Sequence, residues 1–110
     1  MTDLVKKKCV PCEGNVPKLQ GLTLQMMMKE VPGWDLIGEK LRKNFEFKTF
    51  PKAIEFVNAM AKLAESEGHH PDFSVHYREV EVSIWTHVID GLSENDFILA
   101  AKIDALPHPK

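Results

Sequence analysis

The sequence predicts an α+β domain in which a four-stranded antiparallel sheet carries its helices on one face. Along the 110 residues, some segments have apolar residues at the three- to four-residue spacing of a helix, and others alternate apolar and polar residues as a strand does. These segments follow one another in the order αββαββα. The strands come in pairs separated by helices, and each strand is polar on one side. A chain of this length is long enough for one core, so we expect a single domain.

The first helix is predicted over residues 19–30, where apolar residues recur at helical spacing. The following Val-Pro-Gly at 31–33 ends it, because proline disfavours α geometry in the residue before it. The run of three methionines at 26–28 is interpreted as core filling. The residues expected to face the core are Leu19, Leu22, Met26 and Met27.

Two strands, residues 34–39 and 41–48, follow with a hairpin at 38–40. In the second strand Leu41, Lys43, Phe45 and Phe47 share one face. Thr49 then caps a second helix that ends at Gly68, which suits a left-handed C-cap. The predicted buried face of this helix consists of Ala53, Ile54, Val57, Met60, Ala61 and Ala64.

A second strand pair alternates apolar and polar residues over 73–78 and 80–87. Its apolar residues should face the helices. Ser93 and Asp96 form a variant of the capping box, and they begin a third helix. The residues expected to point inward from the strands are Phe73, Val75 and Tyr77 in the first and Val80, Val82 and Ile84 in the second.

Charge and composition exclude several classes of partner. The net charge of −2 with interspersed signs favours neither nucleic acid nor an anionic membrane, and the lysines at 6–8 are interpreted as part of a solvated terminus. No apolar run is long enough to span a membrane or to act as a secretion signal, so a soluble cytoplasmic protein is expected. We divide the chain into a flexible leader at 1–17, a folded domain at 18–106 and a tail at 107–110.

A CxxC motif lies in the predicted leader. Cys9 and Cys12 lack the second cysteine pair of a tetrahedral zinc site and lie far from any βαβ pattern. We interpret them as free thiols. A zinc site completed by histidines is the open alternative.

Three histidines stand at the ends of predicted elements. His69 and His70 precede Pro71 where the second helix gives way to a strand, and His87 ends the strand that follows. A tight hairpin would return His87 beside His69 and His70. Imidazoles near neutral pH can divide acid and base work around one substrate. Ordinary strand-end histidines are the alternative, and His76 and His108 are assigned to that class.

The spacing of these residues resembles the signature of the pterin-4a-carbinolamine dehydratase family. An acidic residue is followed after three positions by His-His-Pro, then an aromatic residue, a histidine and an aspartate. The resemblance extends from residue 19 to residue 105, including the segments PGW, FEFKTFPKAIEFV and GLSENDFILAAKID. The matching signature residues are Glu65, His69, His70, Pro71, Tyr77, His87 and Asp96.

The resemblance implies a hydro-lyase that dehydrates 4a-hydroxytetrahydropterin to quinonoid dihydropterin in tetrahydropterin recycling. It implies no metal and no organic cofactor. A homodimer or homotetramer is expected, with a functional link to an aromatic amino acid hydroxylase. A sheet covered on one face also leaves its other face or an edge to be shared. The alternative is a noncatalytic pterin-binding or protein-interaction module on the same fold.

The family pattern also implies individual roles. His69 and His87 would be the acid/base pair, and His70 would mainly hold the substrate. Glu65 and Asp96 would support them, although an exposed helix-end carboxylate explains Glu65 almost as well and a capping box explains Asp96 better. The substrate-binding residues implied by position are His69, His70, Pro71, Trp85, Thr86 and His87. Trp85 and Arg78 depart from common family residues and are expected to border the pocket.

Overall fold

The structure, a computed structural model, describes residues 4–9 and 17–107. Along these residues the helices and strands follow the predicted order αββαββα. Two short 3-10 turns, Leu4–Lys6 and His87–Ile89, accompany them. The elements are α1 Gly21–Met28, β1 Asp35–Ile37, β2 Lys40–Glu46, α2 Phe50–Glu67, β3 Asp72–His76, β4 Glu79–Ile84 and α3 Glu94–Asp104.

The four strands form one antiparallel sheet in the order β1-β2-β4-β3, which confirms the predicted fold class. Paired residues on the inner side, such as Leu41 with Ile84, are fully buried against the helices. The outer side is polar. There Arg42 pairs with Glu81 at 2.6 Å. The alternation of the strands therefore assigns the two faces as predicted.

Helix α2 begins and ends as predicted. The Thr49 hydroxyl accepts a hydrogen bond from the Lys52 N–H at 3.3 Å, and Gly68 adopts a left-handed φ of 67° at the C-cap. Its buried face is rotated slightly from the predicted one, since Phe56 is fully buried and Ala61 is exposed. The helical spacing of apolar residues is compatible with either of two adjacent faces of α2. The face that contains Phe56 is buried because burying an aromatic ring removes more apolar surface from water.

Four predicted core positions in helix α1 and the first strand of the second pair are wrong. Leu22 and Met26 are 73% and 59% exposed, since α1 lies at the periphery and buries no residue completely. Phe73 is 44% exposed because β3 is an edge strand. Tyr77 lies beyond the end of β3 in a turn with a φ of 57° and is also exposed.

The described part of the N-terminal segment packs on the domain, where the sequence predicted a flexible leader. Leu4 and Cys9 are buried in the core, and Lys7 pairs with Glu94 at 2.7 Å. The 3-10 turn packs against α3 and buries Leu4. Cys12 and His108 lie outside the described residues. Among the helices described, none has the length and apolar character needed to cross a membrane.

Candidate active site

The first half of the site is the junction between α2 and β3. The left-handed Gly68 turns the chain, and the His69 N–H donates to the Ala64 carbonyl at 3.3 Å. The His69 side chain is directed into the protein and its residue is only 6% exposed. The next side chain, His70, is exposed and lies 2.8 Å from Glu65 Oε1 through its Nε2. The vicinal histidines therefore diverge, as expected for neighbours at such a junction.

The second half is the segment that follows β4. The strand ends at Ile84, earlier than predicted, and His87 begins a 3-10 turn instead of ending the strand. The Thr86 N–H donates to the Gly91 carbonyl at 2.8 Å and closes this turn. Asp90 adopts the left-handed conformation that the turn requires, with a φ of 48°. Aspartate tolerates that conformation better than most residues, so the local sequence suits the turn.

These two segments meet at one pocket of about 210 Å³. The structure thus brings His69, His70 and His87 together, as the hairpin geometry had suggested, and Trp85 lines the same pocket. Two residues predicted to bind substrate lie elsewhere: Thr86 is buried beneath the pocket, and Pro71 borders a neighbouring groove together with His70. The pocket lining consists of Gly68, His69, His70, Trp85, His87 and Val88.

Asp96 is the buried centre of a hydrogen-bond network under the pocket. Its Oδ1 lies 2.6 Å from Nε2 of His69. Its Oδ2 accepts from the Thr86 hydroxyl and from the Ser93 N–H, both at 2.8 Å. The capping box of α3 is present as predicted, and the same carboxylate also contacts a pocket histidine. One carboxylate therefore both caps α3 and contacts His69.

The signature residue Tyr77 and the neighbouring Arg78 lie away from the pocket. Tyr77 and Arg78 form the turn between β3 and β4, whereas the pocket lies at the opposite end of this hairpin. The Arg78 guanidinium packs 5.2 Å from the Tyr77 ring centre and reaches the Lys48 carbonyl. The expectation that Arg78 borders the pocket is wrong, because the hairpin is five residue pairs long.

One residue beside the site was missed by the sequence reasoning. The Lys40 ammonium lies 4.0 Å from the centre of the Trp85 ring, and that ring stacks on His87 with centroids 4.2 Å apart. The register that pairs Leu41 with Ile84 places Lys40 beside Trp85. This register depends on contacts between strands far apart in the sequence, so alternation alone does not reveal it.

Cys9 lies apart from the histidines. Its Sγ is 3.6 Å from the Asn95 carbonyl, and burial, aided by the nearby Glu67 carboxylate, raises the pKa of the thiol to about 12. The thiol is therefore protonated at neutral pH and poorly nucleophilic. Within residues 4–9 and 17–107, no group of three or more His, Cys, Asp or Glu side chains is arranged to hold a metal ion.

Comparison with known proteins gives a consistent set of similarities. The family model described as pterin 4 alpha carbinolamine dehydratase matches residues 17–106. A protein of Rubrobacter xylanophilus, provisionally named pterin-4-alpha-carbinolamine dehydratase, is 45% identical over 96% of this chain and 100% of its own length. The Arabidopsis thaliana protein named pterin-4-alpha-carbinolamine dehydratase 2, mitochondrial, is 46% identical over 96% of this chain and 60% of its own length.

Two solved structures share the fold. The transcriptional coactivator/pterin dehydratase of Brucella melitensis superposes with a TM-score of 0.77 at 30% identity, covering 81% of this chain and 97% of that one. A pterin dehydratase-like protein described as a RuBisCO assembly factor in the alpha-carboxysome superposes with a TM-score of 0.59 at 25% identity. It covers 69% of this chain and 90% of that one.

Proposed function

Because the chain belongs to the pterin 4 alpha carbinolamine dehydratase family, we propose that it dehydrates 4a-hydroxytetrahydropterin to quinonoid dihydropterin. The observation that carries this proposal is the meeting of His69, His70 and His87 at one pocket. In the reaction the 4a-hydroxyl accepts a proton and leaves as water. N5 loses its proton, and the C4a–N5 double bond forms. The change is a dehydration without net oxidation, so proton transfer is the chemistry that the chain must supply.

His69 and His87 are the proposed proton donors and acceptors. Each comes from a different segment, so the two rings approach the pocket independently. Asp96 orients the His69 ring and stabilises the positive charge that develops on it when it accepts a second proton. Because this carboxylate is itself held by Thr86 and Ser93, its own position is fixed.

His70 has a different proposed role. Its ring is exposed and pairs with the exposed Glu65. An exposed pair of this kind is weak and can exchange for contacts with a bound molecule. His70 is therefore assigned to holding the pterin, with Glu65 orienting its ring. In the cell the proposed enzyme would regenerate pterin released by an aromatic amino acid hydroxylase.

The decisive experiment follows the disappearance of 4a-carbinolamine, generated by a hydroxylase, in the presence of the purified protein. We expect a rate well above the spontaneous reaction, and we expect the His69→Ala, His87→Ala double variant to lose the acceleration. His76→Ala is the matched control, because His76 lies on the outer face of β3 and contacts Ser74. A wild-type rate equal to the spontaneous one would exclude the proposed activity.

The second candidate is a noncatalytic pterin-binding or protein-interaction module. The structural neighbour described as a RuBisCO assembly factor supports considering it, since that protein shares the fold at 25% identity. Pterin binding by calorimetry without acceleration of dehydration would favour this candidate. Loss of both binding and turnover in the double variant would instead favour the enzyme.

A further inference from the structure

We propose that Trp85 is a positioning residue that holds the His87 imidazole at the pocket by stacking, with Lys40 bracing the opposite face of the indole. This inference rests on the proposed function, since it concerns the same His87. It assigns roles to two residues outside the acid/base set. It also changes the expected role of Trp85 from binding the pterin to orienting a catalytic side chain.

The stacking geometry supports an orienting contact. The Trp85 and His87 rings are nearly parallel, with an interplanar angle of 10° and centroids 4.2 Å apart. Parallel aromatic rings at this distance attract each other and restrict rotation about the side-chain bonds. His87 itself is exposed and begins a 3-10 turn, so the turn backbone alone does not determine where its ring points.

The contrast with His69 shows why such a contact is needed. The His69 ring is buried and its Nε2 lies 2.6 Å from Asp96. Among the described residues, the His87 ring has no side-chain hydrogen bond or ion pair like the one between His69 and Asp96, and it stacks on Trp85 instead. An acid/base group must be kept within hydrogen-bonding reach of the reacting atom. For His87, the indole is the side chain placed to do this.

Lys40 is the second group against the indole, and we place it on the face opposite His87. Its ammonium lies 4.0 Å from the ring centre. The His87 imidazole and the Lys40 ammonium both lie about 4 Å from the indole centre and would crowd each other on a single face. We therefore infer that each of them covers one face. With both faces covered, a pterin ring can meet Trp85 only at its edge, which is why we assign the indole to His87 rather than to the substrate.

The kinetic experiment compares Trp85→Leu with Trp85→Phe. We expect Trp85→Leu to lower kcat about tenfold with little change in KM, a modest effect for displacing a catalytic group. Trp85→Phe should keep most of the wild-type kcat because a phenyl ring can still stack. A rise in KM at unchanged kcat would overturn the proposal in favour of substrate binding. Equal loss in both variants would also overturn it.

A spectroscopic experiment tests the stack without using activity. The indole ring current should shift the His87 imidazole C–H proton resonances upfield, with assignment by His87→Gln. This shift should be lost in Trp85→Leu and partly kept in Trp85→Phe. Unchanged His87 resonances in Trp85→Leu would disprove the stack, whether or not the wild-type protein proves to be a dehydratase.

Lys40→Met provides a second variant should Trp85→Leu fail to fold. It removes the ammonium but keeps an unbranched chain, and it should lower kcat less than Trp85→Leu while reducing the upfield shift. Arg42→Met is the matched control, because Arg42 lies on the same outer face and pairs with Glu81 instead. If Lys40→Met and Arg42→Met behaved alike in both measurements, the bracing role of Lys40 would be excluded.

Discussion

The three pocket histidines have three different surroundings. His69 is buried on Asp96, His70 is exposed beside Glu65, and His87 stacks on Trp85. A buried, hydrogen-bonded imidazole is ready for proton transfer in one orientation, whereas an exposed one adapts to a ligand. Removing each of these three histidines should therefore impair the proposed reaction in a different way.

We expect His69→Ala and His87→Ala each to lower kcat by about 10²-fold, the low end of what acid/base catalysis contributes. His70→Ala should mainly raise KM, because its contacts are felt equally in the ground and transition states. Steady-state kinetics on all three variants measures this division. A larger loss of kcat in His70→Ala than in His69→Ala would contradict the assignment.

Asp96 caps α3, and we propose that it also orients His69; two variants separate these roles. Asp96→Asn removes the charge beside His69, so we expect kcat to fall about 10-fold or more, because a carboxylate that orients a catalytic histidine also stabilises its protonated form. Ser93→Ala removes a capping hydroxyl but leaves the Asp96–His69 contact, so it should cost about 1 kcal/mol of stability and spare kcat. Unfolding in urea and turnover are measured on both variants. If Asp96→Asn had the same kcat as Ser93→Ala, Asp96 would act only as a helix cap.

At the scale of elements, the Glu67 carboxylate at the end of α2 forms an ion pair with α3 and a hydrogen bond with the N-terminal segment. Lys102 Nζ on α3 donates to Glu67 Oε2 at 2.8 Å, and the Cys9 N–H donates to Glu67 Oε1 at 2.9 Å. The Glu67 side chain is only 6% exposed. Burial by itself would raise the pKa of Glu67, but the Cys9 N–H and the Lys102 ammonium together hold the pKa below its usual value of 4.5.

We expect Glu67→Gln to destabilise the fold by about 1–3 kcal/mol at pH 7, as for loss of a charged hydrogen bond. Because the pKa of Glu67 is lower in the folded protein, its stabilisation is complete above pH 4.5 and is lost as the pH falls through the folded value. Urea unfolding at pH 7 and at pH 4 should therefore show a smaller acid-induced loss in the variant than in the wild type.

Glu94→Gln is the control for this prediction. Glu94 pairs with Lys7 at a similar distance of 2.7 Å, but both side chains are about half exposed. Exposed pairs of this kind contribute about 0–1 kcal/mol. If Glu67→Gln were no more destabilising than Glu94→Gln, the connecting role of Glu67 would be wrong.

Over the whole molecule, one exposed apolar surface lies beside the edge strand β3. Phe73 lies on this edge, next to a groove of about 460 Å³ between β3 and α2. Edge strands and apolar grooves are surfaces that proteins commonly cover by association. We therefore expect the predicted homo-oligomer to form through this surface. The apolar lining of the groove comes from Met60, Ala61, Ala64, Pro71 and Phe73.

We expect light scattering at micromolar concentration to give a dimer or tetramer, and Phe73→Asp to shift it toward monomer. A charge at the centre of an apolar interface costs its desolvation on association. Leu22→Asp is the control, since Leu22 is an exposed apolar residue on α1, outside the groove. A strictly monomeric wild-type protein would refute the prediction.

The order of elements, the sheet faces and the helix caps could all be predicted from the sequence. They depend on local features: the alternation in β2 and β4, the Thr49 and Ser93 caps and the left-handed Gly68. The hairpin that joins β3 to β4 also made the meeting of His69, His70 and His87 predictable, because strand register follows from a short connection.

Tertiary structure alone decided which apolar side chains are buried and how the site residues are held. Phe56 replaces Ala61 in the core, and Phe73 stays exposed, because burial depends on neighbours contributed by distant segments. The contact of Asp96 with His69 spans 27 positions, and the Lys40–Trp85 contact requires the register between β2 and β4. Local spacing determined which groups are available for proton transfer, whereas long-range packing determined their orientation.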